Sequence, residues 1–169
     1  MQAVELSEVG SSQWQEVVAG EQQPWGGEGE QLEWGPKERH VGIRDGSGRL
    51  LALAGLVAAR VEIDGRELPV VGFGGVIVTA ARRGRGLARP LLERTVALAR
   101  ELGPERGMLF CEERLMSLYA KFGFVPIEAS VSAQQSAGEV QMPIRAMWIA
   151  LAPGADWPSG AVRVLGLPF

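Results

Sequence analysis

Hydrophobic and polar positions along the chain change period twice, and the changes mark out its elements. Between His40 and Val78 the pattern is that of strands: "HVGI", a polar turn "RDGSGR", the aliphatic run "LLALAGLVAARVEI", then Asp64-Gly65 and "RELPVVGFGGVIV". Asp-Gly between two such runs is the signal of a two-residue hairpin, so the stretch predicts three antiparallel strands over roughly 40–44, 50–62 and 68–78. Gly72, Gly74 and Gly75 interrupt the third. Glycine weakens a strand there unless a bulge, or the backbone of another molecule, needs the room. From Leu87 onward the apolar positions are 87, 88, 91, 92, 96, 98, 99 and 102, a helical period closed by Gly103-Pro104. Pro90 is tolerated because it falls in the first turn.

The flanks read less sharply. Ala3 to Leu6 suits a short strand, and Ser11 or Ser12 suits the N-cap of a helix that runs through Val18 and stops at Gly20. Residues 21–37, "EQQPWGGEGEQLEWGPK", have no sustained period and read as a loop. Beyond the long helix, "GMLFC" predicts a buried strand. "EERLMSLYAKFGF" predicts a short helix with Leu115, Leu118, Tyr119 and Phe122 on one face and Gly123 as its stop. "PIEASVSA" and "QMPIRAMWIAL" are strand-like, and a Gly/Pro-rich tail runs from Ala152 to Phe169. The alternation of strands and helices over 169 residues predicts one α/β domain. Its sheet is expected to be mixed but mostly antiparallel, with about six or seven strands and helices on both faces.

Composition narrows the chemistry. A net charge of -3 argues against a general polyanion binder, because non-specific nucleic-acid affinity needs an excess of Lys and Arg. One cysteine, Cys111, excludes an internal disulfide, and one histidine, His40, makes a Cys/His metal site a poor expectation. No metal is expected. The N-terminus lacks a secretion signal and no apolar run is long enough to cross a bilayer, so we expect a cytoplasmic protein with no membrane and no nucleic-acid partner. Its state of association is open, a homodimer included.

Against this acidic background "VTAARRGRGLARPLL", residues 78–92, concentrates four arginines between a strand and the long helix. A strand, a glycine-containing loop and a helix in succession make an anion site, since the first-turn amides have no partner inside the helix and carry the positive end of its dipole. Gly-x-x-x-x-Gly-Lys-Ser/Thr is absent, and so are the third glycine and distal acid of a dinucleotide fingerprint. What stands is Arg83-x-x-Gly86-x-Ala88 after Val78. With Leu118, Tyr119, Gly123 and Phe124 following at the family's distance, the sequence resembles the GCN5-related N-acetyltransferase (GNAT) superfamily.

That resemblance implies acetyl-CoA as acyl donor and an amine as acceptor. The coenzyme-binding core would span about 70–125. Backbone amides of Arg83, Gly84, Arg85, Gly86, Leu87 and Ala88 would hold the pyrophosphate, the Arg82, Arg85 and Arg89 side chains either contact the phosphates or are solvated at the helix start, and Val76, Ile77 and Val78 would pair with the pantetheine arm where this strand splays from the one at 107–111. Tyr119 occupies the family's general-acid position, although helical spacing alone allows it to be a core aromatic. Glu112 stands where many members have Asn, and either it deprotonates the amine or it is a helix-start carboxylate. Trp25, Glu28, Glu30 and Trp34 lie in the loop that shapes the acceptor pocket in this superfamily. Their acidic and aromatic character suits a cationic amine, unless they are a charged surface loop with packing tryptophans. A non-catalytic acyl-CoA sensor and, less well supported, a nucleic-acid-binding module are the rival functions.

Overall fold

The computed structural model describes residues 1–24, 27 and 29–169. The expected meander is its backbone: β2 (Arg39–Arg44), β3 (Leu50–Ile63) and β4 (Arg66–Val78) pair antiparallel in sequence order. The turn between β3 and β4 is made by Asp64 and Gly65, with φ of 51° and 73°. Two consecutive positive φ values are what a type I′ hairpin requires, and Asp-Gly is the pair that adopts them at least strain. β1 (Gln2–Leu6) adds antiparallel to β2.

A right-sized crossover then reverses the chain. α2 (Ala88–Glu101) carries it back so that β5 (Arg106–Cys111) joins β4 in parallel. After β5, a single 3₁₀ turn leads into α3 (Met116–Ala120), and β6 (Val125–Pro126), β7 (Val131–Gln135), β8 (Gly138–Gln141) and β9 (Arg145–Ala150) follow. β9 pairs antiparallel with β5 and carries β6 at its edge. The tail, expected to be irregular, contributes a strand of its own. Val162–Val164 (β10) inserts between the second half of β3 and β7. The described sheet thus has ten strands, more than the six or seven expected. The added strands are two to five residues long and lie within the stretches after Gly123, where β7 and β8 form a tight hairpin and β6 and β10 are strands only through more distant partners.

Helices cover both faces, as expected. Leu91, Leu92, Val96, Leu98 and Ala99 of α2 are buried against Ala52, Ala54, Leu56, Val71 and Phe73. On the opposite face α1 (Ser11–Val18) packs Val17 onto Leu50, Leu53 and Ile77. α1 opens at Ser11 with Gly10 as its cap, so neither serine caps it. Instead the Gln13 side chain accepts the Gly10 N–H at 3.0 Å, reaching back over the first turn. A second cluster on the α1 face joins Val70, Met108, Ala146 and Val164 to Phe169, whose ring is 3% exposed.

Candidate active site

The site starts from a failure of pairing. β4 and β5 run side by side only from Val71 to Phe73, opposite Gly107 to Leu109. β4 continues to Val78 and β5 to Cys111 with no further rung between them. The two strands therefore diverge into an open notch, as the sequence led us to expect. The cause is visible on the other edge of β4. Leu53 pairs with Ile77 and Gly55 with Gly74, so Ala54 faces both Gly75 and Val76. Gly75 takes φ of 60°, and this bulge turns β4 away from its neighbour.

Beyond the notch the chain enters the arginine-rich loop. Gly84 and Gly86 have φ of 72° and 80°, and a Cβ at either would meet no atom within 4 Å. These glycines are needed for backbone shape, and neither packs against another residue. Among the described residues, no backbone carbonyl accepts the amides of Gly84, Arg85, Gly86, Leu87 or Ala88, which sit at the N-terminal end of α2. Such a row of free donors at a positive helix end is suited to a phosphate group. The Arg83 side chain is otherwise engaged. Its Nε donates to the Val78 carbonyl at 3.0 Å and its Nη1 to Glu21 at 2.8 Å. The pairing holds Glu21 below the usual carboxylate range and raises Arg83, in each case chiefly through this hydrogen bond. Arg83 is thus a strut that fixes the loop to β4 and to the segment after α1, and Glu21 is a partner that sequence reasoning missed. Arg89 pairs with Glu93 one turn along α2, on the exposed face.

The β5 wall of the notch carries the titratable groups. Tyr119 of α3 is 6% exposed and rests edge-on against Phe124, ring centroids 5.9 Å apart. Burial first, and the nearby Cys111 thiol second, push its phenol well above the ordinary value, so it stays protonated. Cys111 is itself pushed up to about 11, chiefly by burial, and its Sγ lies 4.0 Å from Met147 Sδ. The backbone carbonyl of Glu112, the residue after β5, accepts the Leu115 N–H at 2.9 Å within the 3₁₀ turn, its side chain makes no cap, and its carboxylate is paired with Arg114.

On the α1 face three segments converge on the bulge, and only Trp34 was foreseen there. The Trp34 indole donates to Gly29 at 3.2 Å and lies edge-on to Phe110 of β5, centroids 6.1 Å apart. The stem of Lys37 crosses the paired Gly55 and Gly74, and its Nζ donates to the Gly35 carbonyl at 2.8 Å. Burial lowers Lys37 to about 8, and burial together with that neighbouring charge lowers His40. The ring of Phe169 lies over Gly72 and its backbone over Gly74. Glu30 is exposed, and Glu33 is drawn away to Ser136 at 2.7 Å. Trp25 and Glu28 lie outside the described residues.

Residues 6–127 match the acetyltransferase (GNAT) domain family, and the chain belongs to it. Among curated proteins, a probable glucosamine 6-phosphate N-acetyltransferase 2 of Oryza sativa subsp. japonica is 46% identical over 50 residues, which is 30% of each chain. The match thus spans less than a third of that relative. Solved structures share the fold at low identity. A putative N-acetyltransferase from Lactobacillus plantarum aligns over 89% of this chain and 98% of its own, with a TM-score of 0.62 and 16% identity. A GNAT family N-acetyltransferase (YhbS) from Escherichia coli in complex with CoA covers 78% of this chain and 73% of its own, with a TM-score of 0.54 and 20% identity. Escherichia coli ElaA covers 88% and 98%, with a TM-score of 0.55 and 22% identity.

Proposed function

We propose that this chain transfers an acetyl group from acetyl-CoA to a primary amine by direct attack of the amine on the thioester. The observation that carries the reading is the notch between β4 and β5 opening onto the free amides of residues 84–88. A pyrophosphate bound by those amides would send its pantetheine arm along Val76 to Val78, whose edge facing β5 has no strand partner. The Val78 carbonyl is already taken by Arg83, so the arm's bonds fall on the amides and the remaining carbonyls of that edge. An amine attacks the thioester carbonyl, the C–S bond breaks, and the sulfur needs a proton. Tyr119, protonated and beside the end of β5, is the group that supplies it. Glu112 faces Arg114 and is thereby less available as a base.

A thiol-release assay tests this, with acetyl-CoA and a panel containing n-hexylamine, spermidine, glucosamine 6-phosphate and a free peptide N-terminus. We expect turnover with at least one amine. Gly86→Val should abolish both turnover and the rise in melting temperature on adding CoA, because valine is strained at positive φ and would reshape the backbone that presents the amides. A CoA-dependent rise with no turnover on any amine, unchanged in Tyr119→Phe, would favour the sensor reading instead.

A further inference from the structure

The α2 face of the notch is closed by packed residues, Leu87, Leu91, Cys111 and Tyr119 among them, and the amides at the start of α2 open towards the coenzyme. An acceptor must then reach the thioester from the α1 face. There β4 presents no side chain at Gly72 or Gly74, yet the space over them is full. A Cβ on Gly72 would fall 2.5 Å from Phe169 Cγ, and one on Gly74 would fall 2.6 Å from Lys37 Cε and 2.5 Å from the Phe169 carbonyl carbon. On the far side of the bulge, Trp14 of α1 comes within 3.6 Å of a Cβ on Gly75 and lies edge-on to His40.

The filling is held in place at both ends. Gly35 donates its N–H to the Pro168 carbonyl at 2.7 Å and accepts the Lys37 ammonium through its own carbonyl. The Phe169 ring lies 5.4 Å from that of Phe110, on which Trp34 stands. Bare glycines on a strand would leave a broad approach, but side chains from α1, the 29–37 loop and residues 167–169 narrow it from outside.

We propose that Trp14, Lys37 and Phe169 form the rim through which the acceptor reaches the notch, and that this rim selects a primary amine on an unbranched chain. The assignment rests on the acetyl-transfer reading above. Phe169 and Lys37 are specificity-determining residues in this scheme, because they occupy the volume that a branched or cyclic substituent next to the amine would need.

The test compares n-hexylamine with cyclohexylamine as acceptors, with acetyl-CoA as donor. The unaltered protein should favour n-hexylamine in kcat/KM. Phe169→Ala should narrow that preference by roughly ten-fold, the scale on which pocket shape discriminates between small apolar groups, through a gain on cyclohexylamine and with KM for acetyl-CoA unchanged. Phe169→Leu, which keeps most of the buried apolar volume, should move the ratio in the same direction by less. Lys37→Ala should narrow it independently. Melting temperatures with and without CoA show whether each variant is folded and binds coenzyme. An unchanged ratio in folded Phe169→Ala and Lys37→Ala overturns the rim and leaves acetyl transfer standing. Absence of thiol release from the unaltered protein with every amine overturns the parent reading, and the rim with it.

Discussion

Single residues in this fold do work that their type does not announce. Arg83 belongs to a motif read as a phosphate cradle, yet its guanidinium bonds the protein itself, reaching both the Val78 carbonyl and Glu21, which lies 62 residues before it in sequence. Arg83→Ala should therefore weaken CoA binding by loosening the loop, and more than Arg85→Ala does, as titration calorimetry would show. Glu21 is held below its ordinary pKa, so the pairing is present above the usual carboxylate range and is lost as pH falls through the lowered value. The gap between the two variants should shrink in acid. Cys111 illustrates the opposite case, a reactive side chain made inert. With its thiol pushed up to about 11, the thiolate is a very small fraction at pH 8, and folded protein should react with iodoacetamide far more slowly than urea-unfolded protein. Fast labelling of the native state would show that the end of β5 is open to solvent.

At the scale of elements, what was legible followed from local period. β2 to β4 and α2 were readable because alternation and the 3.6-residue repeat persist over six to fourteen residues, and Asp64-Gly65 names its own turn. β10 was not, since Val162 to Val164 is three residues among glycines and prolines, and only its partners β3 and β7 make it a strand. The glycine loop before α2 and the position of Tyr119 on α3 were visible as a spaced motif, and so was the bulge, because strand glycines call for a reason. The rim was invisible: nothing near Lys37 in sequence says that it will lie across Gly55 and Gly74, because both glycines come from later strands. Gly107 shows how much rides on the short stretch where β4 and β5 still pair. It pairs with Val71, and a Cβ there would fall 2.5 Å from Phe73 and 2.8 Å from Ile149. Gly107→Ala should cost about 1–3 kcal/mol by overpacking and should also reduce CoA affinity, since a shift of β5 disturbs the rungs that hold it to β4 below the notch. Denaturant unfolding and calorimetry on one sample check both; full stability would mean that Phe73 yields without strain.

For the whole molecule, the two faces of one sheet divide the labour. The α2 face has the larger cluster, while the α1 face is roofed by a loop and by the last residues described. Arg163 bonds Glu62 at 2.9 Å, 101 residues earlier, in a rung where β10 completes the edge of β3 that β2 leaves uncovered. On a ribosome this has a temporal meaning. A nascent chain that has just released Phe124 already holds β3, β4, the loop and α3. Yet half an edge of β3 and the bare glycines of β4 stay open until residues 162–169 emerge. Through that interval the chain exposes an unpaired strand and apolar floor, so the moment of greatest risk in its synthesis falls after the arginine-rich loop exists and before the α1 face is roofed.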